Sequence, residues 1–409
     1  MSAAQRAMDR CEELAAVSAI GHGIERVHLS PEHARVNEMA AGWMAGVGMR
    51  TWRDQAGNQW GRLEGREPGL PALVLGSHLD TVTDAGRYDG MLGVVSAIEV
   101  AARLVPRAAE LPFALEVVAF SDEEGTRFST ALTGSFAVAG NWHEDWWERT
   151  DRDGVSVRSA AERFGLDPAR IGEAARRPEE LVGYLELHIE QGPHLEAAGR
   201  PLGVVSSIAG ARRFTGRVVG EARHAGGTPY GKRKDALVGA SQVVLAVERL
   251  AVELGGIATV GRLQAFPGGV NVVPGLVEFT LDVRAEHDEQ RDVLVDAITA
   301  YAQEFCGLRG LGFELIEVHA AAGVYCDADL VESVTAGIAA TGDPEPLTIW
   351  SRAGHDAMAI AAVTPVAMIF VRCEDGISHA PGEKVTLEDV AIGIDAFEAT
   401  VLDVARRRA

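Results

Sequence analysis

Cysteine is scarce in this chain, and its few copies form no pattern. Cys11, Cys306, Cys326 and Cys373 contain no C-x-x-C pair. They supply neither a disulfide framework nor a thiolate zinc site, and they suit a reducing cytoplasm. Basic charge is also in deficit: 38 Lys and Arg stand against 59 Asp and Glu, for a net charge of −21. Nucleic acid and anionic membranes bind through clustered Lys and Arg, so neither is an expected partner. No apolar run approaches the roughly 20 residues that cross a bilayer, and the opening MSAAQRAMDRCEEL is too polar for a signal peptide. Internal repeats and low-complexity tracts are absent as well. These absences leave a cytoplasmic, soluble protein acting on small molecules as the expectation.

What is present is ordinary for a globular chain: 47% apolar and 24% charged residues over 409 positions. A single core stops growing at roughly 250–300 residues, so two domains are expected. Residues 72–76 (ALVLG) read as a buried strand, 91–106 as an apolar helix ended by Pro106, and 113–121 as another strand. That rhythm predicts βαβ units in a mostly parallel sheet. The Trp-containing stretch 141–180 reads as an irregular or helical insertion. In YLELHIE (184–190), Leu185, Leu187 and Ile189 fall on one face and Glu186, His188 and Glu190 on the other. From 212 the order becomes strand (212–222), helix (235–254), strands (257–266 and 276–285), helix (288–305) and strand (311–319). This βαββαβ order predicts an inserted ferredoxin-like α+β domain. A helix at 327–341, a strand at 365–371 and a final helix at 387–407 return the chain to α/β. The expected architecture is a discontinuous α/β domain, 1–210 with 325–409, interrupted by a domain at 211–324.

Five clusters carry candidate chemistry. GSHLDTV places His78 and Asp80 just past the 72–76 strand, where open α/β sheets bind ligands. A His there offers a ring nitrogen to a metal; an ordinary hydrogen bond is the plainer reading of an isolated H-x-D. GRYDGMLGV puts Asp89 before an apolar helix, either as its N-cap or as a carboxylate bridging two ions. FSDEEGTRF sets Glu123 and Glu124 after the 113–121 strand, either as a solvated acidic loop or as a ligand beside a general base. HIEQGPHLE supplies His188, and GISHAPGE supplies His379 in a loop beyond the 365–371 strand. Together His78, Asp89, Glu124, His188 and His379 form an N/O donor set of the kind that holds Zn²⁺, Mn²⁺ or Co²⁺.

The ordered set HLD, DG, EE, HIEQG and SHAPGE resembles the M20-type metallohydrolases, specifically their hydantoinase/carbamoylase amidase branch. That branch includes N-carbamoyl-L-amino acid hydrolases, allantoate amidohydrolases and β-ureidopropionases. The resemblance spans residues 78 to 382 and implies two divalent metal ions, Zn²⁺ first with Mn²⁺, Co²⁺ or Ni²⁺ as substitutes. It implies that Asp89 bridges the ions, that His78 and His188 complete one ligand set, and that Glu124 and His379 complete the other. Glu123 is then the general base and Asp80 orients His78. HIEQG distinguishes the branch, because related peptidases place a carboxylate where His188 stands, and Gln191 is implied to touch the substrate's carbamoyl or amide end.

The same resemblance assigns His224 to the oxyanion, reached across a homodimer interface, and Asn271 and Arg284 to the substrate carboxylate. A turn-forming Asn and a cross-strand salt bridge are the plainer readings of the last two. In SRAGHDAM, Gly354 and His355 are implied to line the pocket. HAGGTPY departs from the family's usual HAGTTPM at Gly227 and Tyr230, and Arg352 replaces a small residue; both departures fall near the substrate. Histidines 22, 28, 33, 143, 194, 287 and 319 fit no metal pattern. The expected reaction is hydrolysis of a non-peptide C–N bond in an N-carbamoyl-L-amino acid or a ureido acid such as allantoate. A two-metal peptidase or N-acyl amino acid deacylase shares the machinery, and a catalytically silent binding homologue would have lost Glu123 or a ligand, which this chain keeps.

Overall fold

The computed structural model describes all residues, Met1–Ala409. The chain divides into two compact units. One comprises Met1–Ser206, Tyr325–Ile349 and Gly354–Ala409; the other comprises Ser207–Val324 with Trp350–Ala353. No helix is long and apolar enough to cross a membrane.

The larger unit is built on a mixed, centrally parallel sheet. Strands Ala114–Phe120, Ala72–His78, Leu181–Ile189 and Val366–Val371 lie side by side in that order, all parallel. Strand Gln59–Leu63 extends one side and Leu202–Ile208 the other, both antiparallel to their neighbours. Parallel strands carry helices on their faces and are buried on both, which explains the runs ALVLG and VAMIFV. Helices Met91–Leu104 and Leu387–Arg407 cover one face, with Ala3–Ala15 packed on them, and Ala7, Ile98 and Phe397 join one core. The alternation in Leu181–Ile189 has a different meaning from a half-exposed strand. Glu186 and His188 are buried as deeply as Leu185 and Leu187, so the polar face of this strand is an interior one.

The 141–180 insertion folds as short helices, among them Glu144–Glu148, Val157–Phe164 and Pro168–Ala174. Trp147, Val157, Ala161 and Ile171 join Leu29 and Phe128 in a satellite core.

In the smaller unit four main strands form an antiparallel sheet in the order Leu263–Phe266, Leu276–Ala285, Gly210–Val219, Gly312–Ala320. Helices Ala236–Leu254 and Asp288–Leu308 pack Val243, Val247, Leu294 and Ile298 against Val277, Phe279 and Val283 of the sheet. One expected element is corrected: 257–266 is two strands, Ile257–Thr259 and Leu263–Phe266. Between them the Arg262 amide turns to the Thr280 hydroxyl at 3.0 Å instead of continuing the ladder.

The region ahead of strand Ala72–His78 holds a buried imidazole. The Ser30 hydroxyl caps helix Pro31–Gly46 by accepting from the His33 amide at 3.1 Å, and His33 Nδ1 accepts from the Leu29 amide. Burial, followed by the charges of Arg26 and Arg53, pushes His33 down to about 3 from 6.5. The folded state therefore refuses a proton that the unfolded chain accepts below 6.5, and stability is lost as pH falls through that value. His33→Gln is expected to be less stable than wild type at pH 7.5, with the gap narrowing by about 2 kcal/mol at pH 5, since each unit is worth about 1.4 kcal/mol. Urea unfolding of both proteins at the two pH values checks this; a pH-independent gap would contradict it.

Candidate metal centre

Because the four central strands are parallel, their carboxyl ends open on one edge of the sheet, the usual ligand side of such folds. His78 is the last residue of Ala72–His78, and His188 sits one residue from the end of Leu181–Ile189. Glu123 and Glu124 follow strand Ala114–Phe120, and His379 lies in the loop after Val366–Val371. Asp89 arrives from the loop that precedes helix Met91–Leu104. The N-cap alternative for Asp89 does not hold, because the cap position is Gly90 and no side chain caps this helix.

Asp89 stands at the centre of the cluster and is buried. Its Oδ1 is 3.2 Å from His188 Nε2 and 3.8 Å from His78 Nε2. Its Oδ2 is 3.0 Å from His379 Nε2. His379 Nε2 lies 3.4 Å from Glu124 Oε1, and His78 Nε2 lies 3.9 Å from Glu123 Oε2. Donor atoms of His78, Asp89 and His188 lie within 4.8 Å of one another, and so do those of Asp89, Glu124 and His379. Each Asp89 oxygen thus faces a separate His-containing set.

Several contacts hold these donors in place. Asp80 is buried, and its carboxylate accepts from the amides of Glu123 (3.0 Å) and Glu124 (3.1 Å), tying the acidic loop to the His78 strand. The orientation of His78 comes from main chain: Nδ1 meets the Asp80 carbonyl at 3.0 Å, while the Asp80 carboxylate is 3.7 Å away. His188 Nδ1 likewise pairs with the Ile189 carbonyl at 2.9 Å. In both rings this leaves Nε2 for the cluster. Gly90 has φ +69, and a Cβ there would lie 2.5 Å from the His78 ring. Asp122, Gln191 and His379 have φ of 63, 57 and 56, so left-handed non-glycine residues gather at the candidate site, a pattern typical of functional sites.

The electrostatics describe a surplus of buried carboxylates. Burial, then the charges of Glu124, Asp356, Asp80 and Asp89, pushes Glu123 well above the usual carboxylate range. Burial and the Asp89 charge push Glu124 up to about 8. For Asp89 burial acts in the same direction, but His188, His379 and His78 outweigh it and hold the carboxyl well below its ordinary value. His188 Nε2 is buried and makes no well-aligned hydrogen bond despite its nearness to Asp89. Clustered carboxylates with imidazole nitrogens, one of them orphaned, and no Lys or Arg in the set fit divalent cations of the Zn²⁺ and Mn²⁺ class.

Gln191 also reaches the cluster, its Nε2 donating to Asp89 Oδ2 at 3.0 Å. His355 is buried with its ring 4.5 Å from that of His188, and Glu186, His188 and His355 make a further trio of donors. Gly354 precedes His355 on the same unit. His224, Asn271 and Arg284 belong to the smaller unit. His224 is exposed on the short strand Arg223–His224, its Nδ1 accepting from the Gly227 amide at 2.9 Å. Asn271 is exposed, and its carbonyl accepts from the Ala225 amide. Arg284 donates to Asp282 at 2.8 Å and to the Arg352 carbonyl at 2.7 Å. Its ion pair is with the residue two positions back on its own strand, so the cross-strand version of that salt bridge is corrected.

Two contributors escaped the sequence reading. Arg26 is fully buried and donates to the carbonyls of Leu14, Val17 and Leu79, bracing the strand end that carries His78. The Ser378 hydroxyl sits 3.1 Å from Asp89 Oδ2. Ser378 is adjacent to His379 in SHAPGE and was within reach of the motif; Arg26 acts on carbonyls and leaves no spacing signal.

Residues 74–403 match the model of peptidase family M20/M25/M40. An N-carbamoyl-L-amino-acid amidohydrolase from a Pseudomonas strain is 37% identical over 385 residues, 93% of each chain. The allantoate deiminase of Arabidopsis thaliana is 37% identical, covering 96% of this chain and 81% of the relative. The crystal structure of a hydantoinase/carbamoylase family amidase from Burkholderia multivorans superposes with a TM-score of 0.91 at 34% identity, covering 98% of both chains. The chain belongs to the M20/M25/M40 family and, within it, to the hydantoinase/carbamoylase amidases.

Gly90→Ala tests the packing of the site directly. The added Cβ must displace the His78 ring, so zinc affinity is expected to fall about 10–100-fold, the range for disturbed ligand support. Calorimetric titration of metal-free protein checks it; wild-type affinity would contradict the arrangement.

Proposed function

We propose that this chain is a two-metal amidohydrolase that cleaves a non-peptide C–N bond in an N-carbamoyl-L-amino acid or a related ureido acid such as allantoate. The observation that carries the reading is the division of Asp89, one oxygen toward His188 and His78 and the other toward His379 and Glu124. His78, Asp89 and His188 would hold one divalent ion, and Asp89, Glu124 and His379 the other. Zinc is the first expectation, with Mn²⁺, Co²⁺ and Ni²⁺ suited to the same donors. When bound, such a pair polarises the scissile carbonyl and acidifies a water to a pKa near 7.

The chain's own residues do the rest. Glu123, buried beside the cluster with Oε2 3.9 Å from His78 Nε2, takes the proton of the attacking water and returns it to the departing nitrogen. Asp80 fixes its backbone. For an N-carbamoyl amino acid, water adds to the carbamoyl carbon and the amine leaves. The carbamate left behind separates into CO₂ and ammonia. Gln191, already within hydrogen-bond range of Asp89, is suited to the carbamoyl end.

Residues 1–210 with 325–409 form the catalytic domain in this reading. The 211–324 segment is a ferredoxin-like lid that also dimerises the protein; its antiparallel sheet order supports the ferredoxin-like assignment. Arg284 and Asn271 bind the substrate carboxylate, which competes with Asp282 for the guanidinium. His224, supplied across a homodimer interface, steadies the oxyanion, and Gly354 and His355 shape the pocket. The cytoplasm is the proposed location. His188 and Gln191, in HIEQG, favour this reading over a peptidase or N-acyl deacylase.

Ammonia release from N-carbamoyl-L-amino acids, allantoate and ureidopropionate, run beside amine release from N-acetyl amino acids and dipeptides, tests the proposal. Ammonia is expected from a ureido substrate, and Glu123→Gln is expected to lower kcat about 10²–10⁴-fold while keeping its metal. Turnover of acetyl or peptide substrates alone would move the protein to the peptidase reading.

A further inference from the structure

The last residue of SHAPGE has no role in the chemistry above, yet it is buried at 1% exposure among the metal-site loops. Glu383 Oε1 accepts from two successive amides, Tyr88 at 2.7 Å and Asp89 at 3.0 Å. Its other oxygen, Oε2, accepts from the Ser378 hydroxyl at 2.9 Å, and that hydroxyl lies 3.1 Å from Asp89 Oδ2. Its own amide closes the loop onto the Ala380 carbonyl at 3.0 Å. One side chain therefore ties the backbone of Asp89 to the loop that presents His379.

The seat is shaped for this side chain. A Cβ on Gly86 would lie 2.4 Å from Glu383 Cβ, Cδ and Oε1, so only glycine at that position leaves room for the carboxylate. Loop 86–89 and loop 378–383 are far apart in sequence, and no helix or strand ladder joins them here. His379 holds a left-handed backbone at φ +56, a conformation that persists only when its surroundings impose it.

We infer that Glu383 is a positioning residue that sets Asp89 against His379, and that it governs occupancy of the ion held by Asp89, Glu124 and His379. The inference rests on the reading of those three residues as metal ligands. Glu383 touches neither substrate nor metal in this account; it acts through two amides and one hydroxyl. The two imidazoles of the His78–Asp89–His188 set are held by other contacts, the Asp80 and Ile189 carbonyls, so that set is expected to outlast the loss of Glu383. The role is one of geometry. A glutamine can accept from the same two amides and donate to Ser378 Oγ, which then passes its single proton to Asp89.

Metal counting by mass spectrometry and calorimetric titration of metal-free full-length protein with Zn²⁺ test this without recourse to activity. Wild type and Glu383→Gln are expected to take up two ions per chain. Glu383→Ala and Gly86→Ala are expected to keep the tighter ion and bind the other about 10–100-fold more weakly, as for lost support of a ligand. A merely structural residue would lower the melting temperature of the metal-free protein without selecting between ions. Two tightly bound ions in both Glu383→Ala and Gly86→Ala would overturn the inference. So would loss of an ion in Glu383→Gln, since charge rather than the seat would then be at work. If Glu383→Ala fails to fold, Gly86→Ala and Glu383→Gln decide by the same criteria. Failure with a two-ion wild type leaves the amidohydrolase reading standing; a wild type that binds one ion or none overturns both.

Discussion

The structure turns on a single buried carboxylate. Asp89 lies within 4 Å of three imidazoles, at 3.0 Å from His379, 3.2 Å from His188 and 3.8 Å from His78. It also accepts from Gln191, and the Ser378 hydroxyl lies 3.1 Å away. An ionised group withdrawn from water persists only when charge partners and hydrogen bonds replace its hydration. Here the partners come from different strand ends and loops, so the fold must bring all of them to one edge at once. The parallel order of four central strands does this, since it points every carboxyl terminus the same way.

Around Asp89 the chain carries more negative charge than its side chains neutralise. Glu123 and Glu124 are both driven toward their protonated forms in the metal-free protein. Two dications would offset that surplus, and Glu123, buried beside the cluster, would then be placed as the base. The supports are mostly main-chain. Amides of Glu123 and Glu124 grip Asp80, carbonyls fix both buried imidazoles, and glycines at 86 and 90 admit side chains that a Cβ would exclude.

Much of this was legible in the amino-acid sequence, and the division has physical causes. The parallel strands announce themselves as short apolar runs, and the polar residues at their ends, each with a plainer reading when taken alone, stand out as a set; His78, Glu124 and His188 are of this kind. The central sheet and the family follow from those runs and the ordered motifs. The N-terminal helices Ala3–Ala15 and Pro31–Gly46 were not anticipated, nor were the flanking strands Arg50–Arg53, Gln59–Leu63 and Leu202–Ile208. Arg50–Arg53 and Gln59–Leu63 are short, and their apolar signal is interrupted by Arg, Gln and Gly. The depth of Glu186 was hidden too, because alternation reads the same whether the polar face meets water or a buried site. Arg26 and Glu383 work through backbone contacts across long sequence separations, which leave no periodic trace.

The central claim is that Asp89 is shared between two metal ions. An anomalous difference map from crystals of the zinc-loaded protein tests it most directly. The account predicts two peaks per chain, one on each side of the Asp89 carboxylate, the first beside His78 and His188 and the second beside Glu124 and His379. A single peak, or two peaks that do not share Asp89, would contradict it.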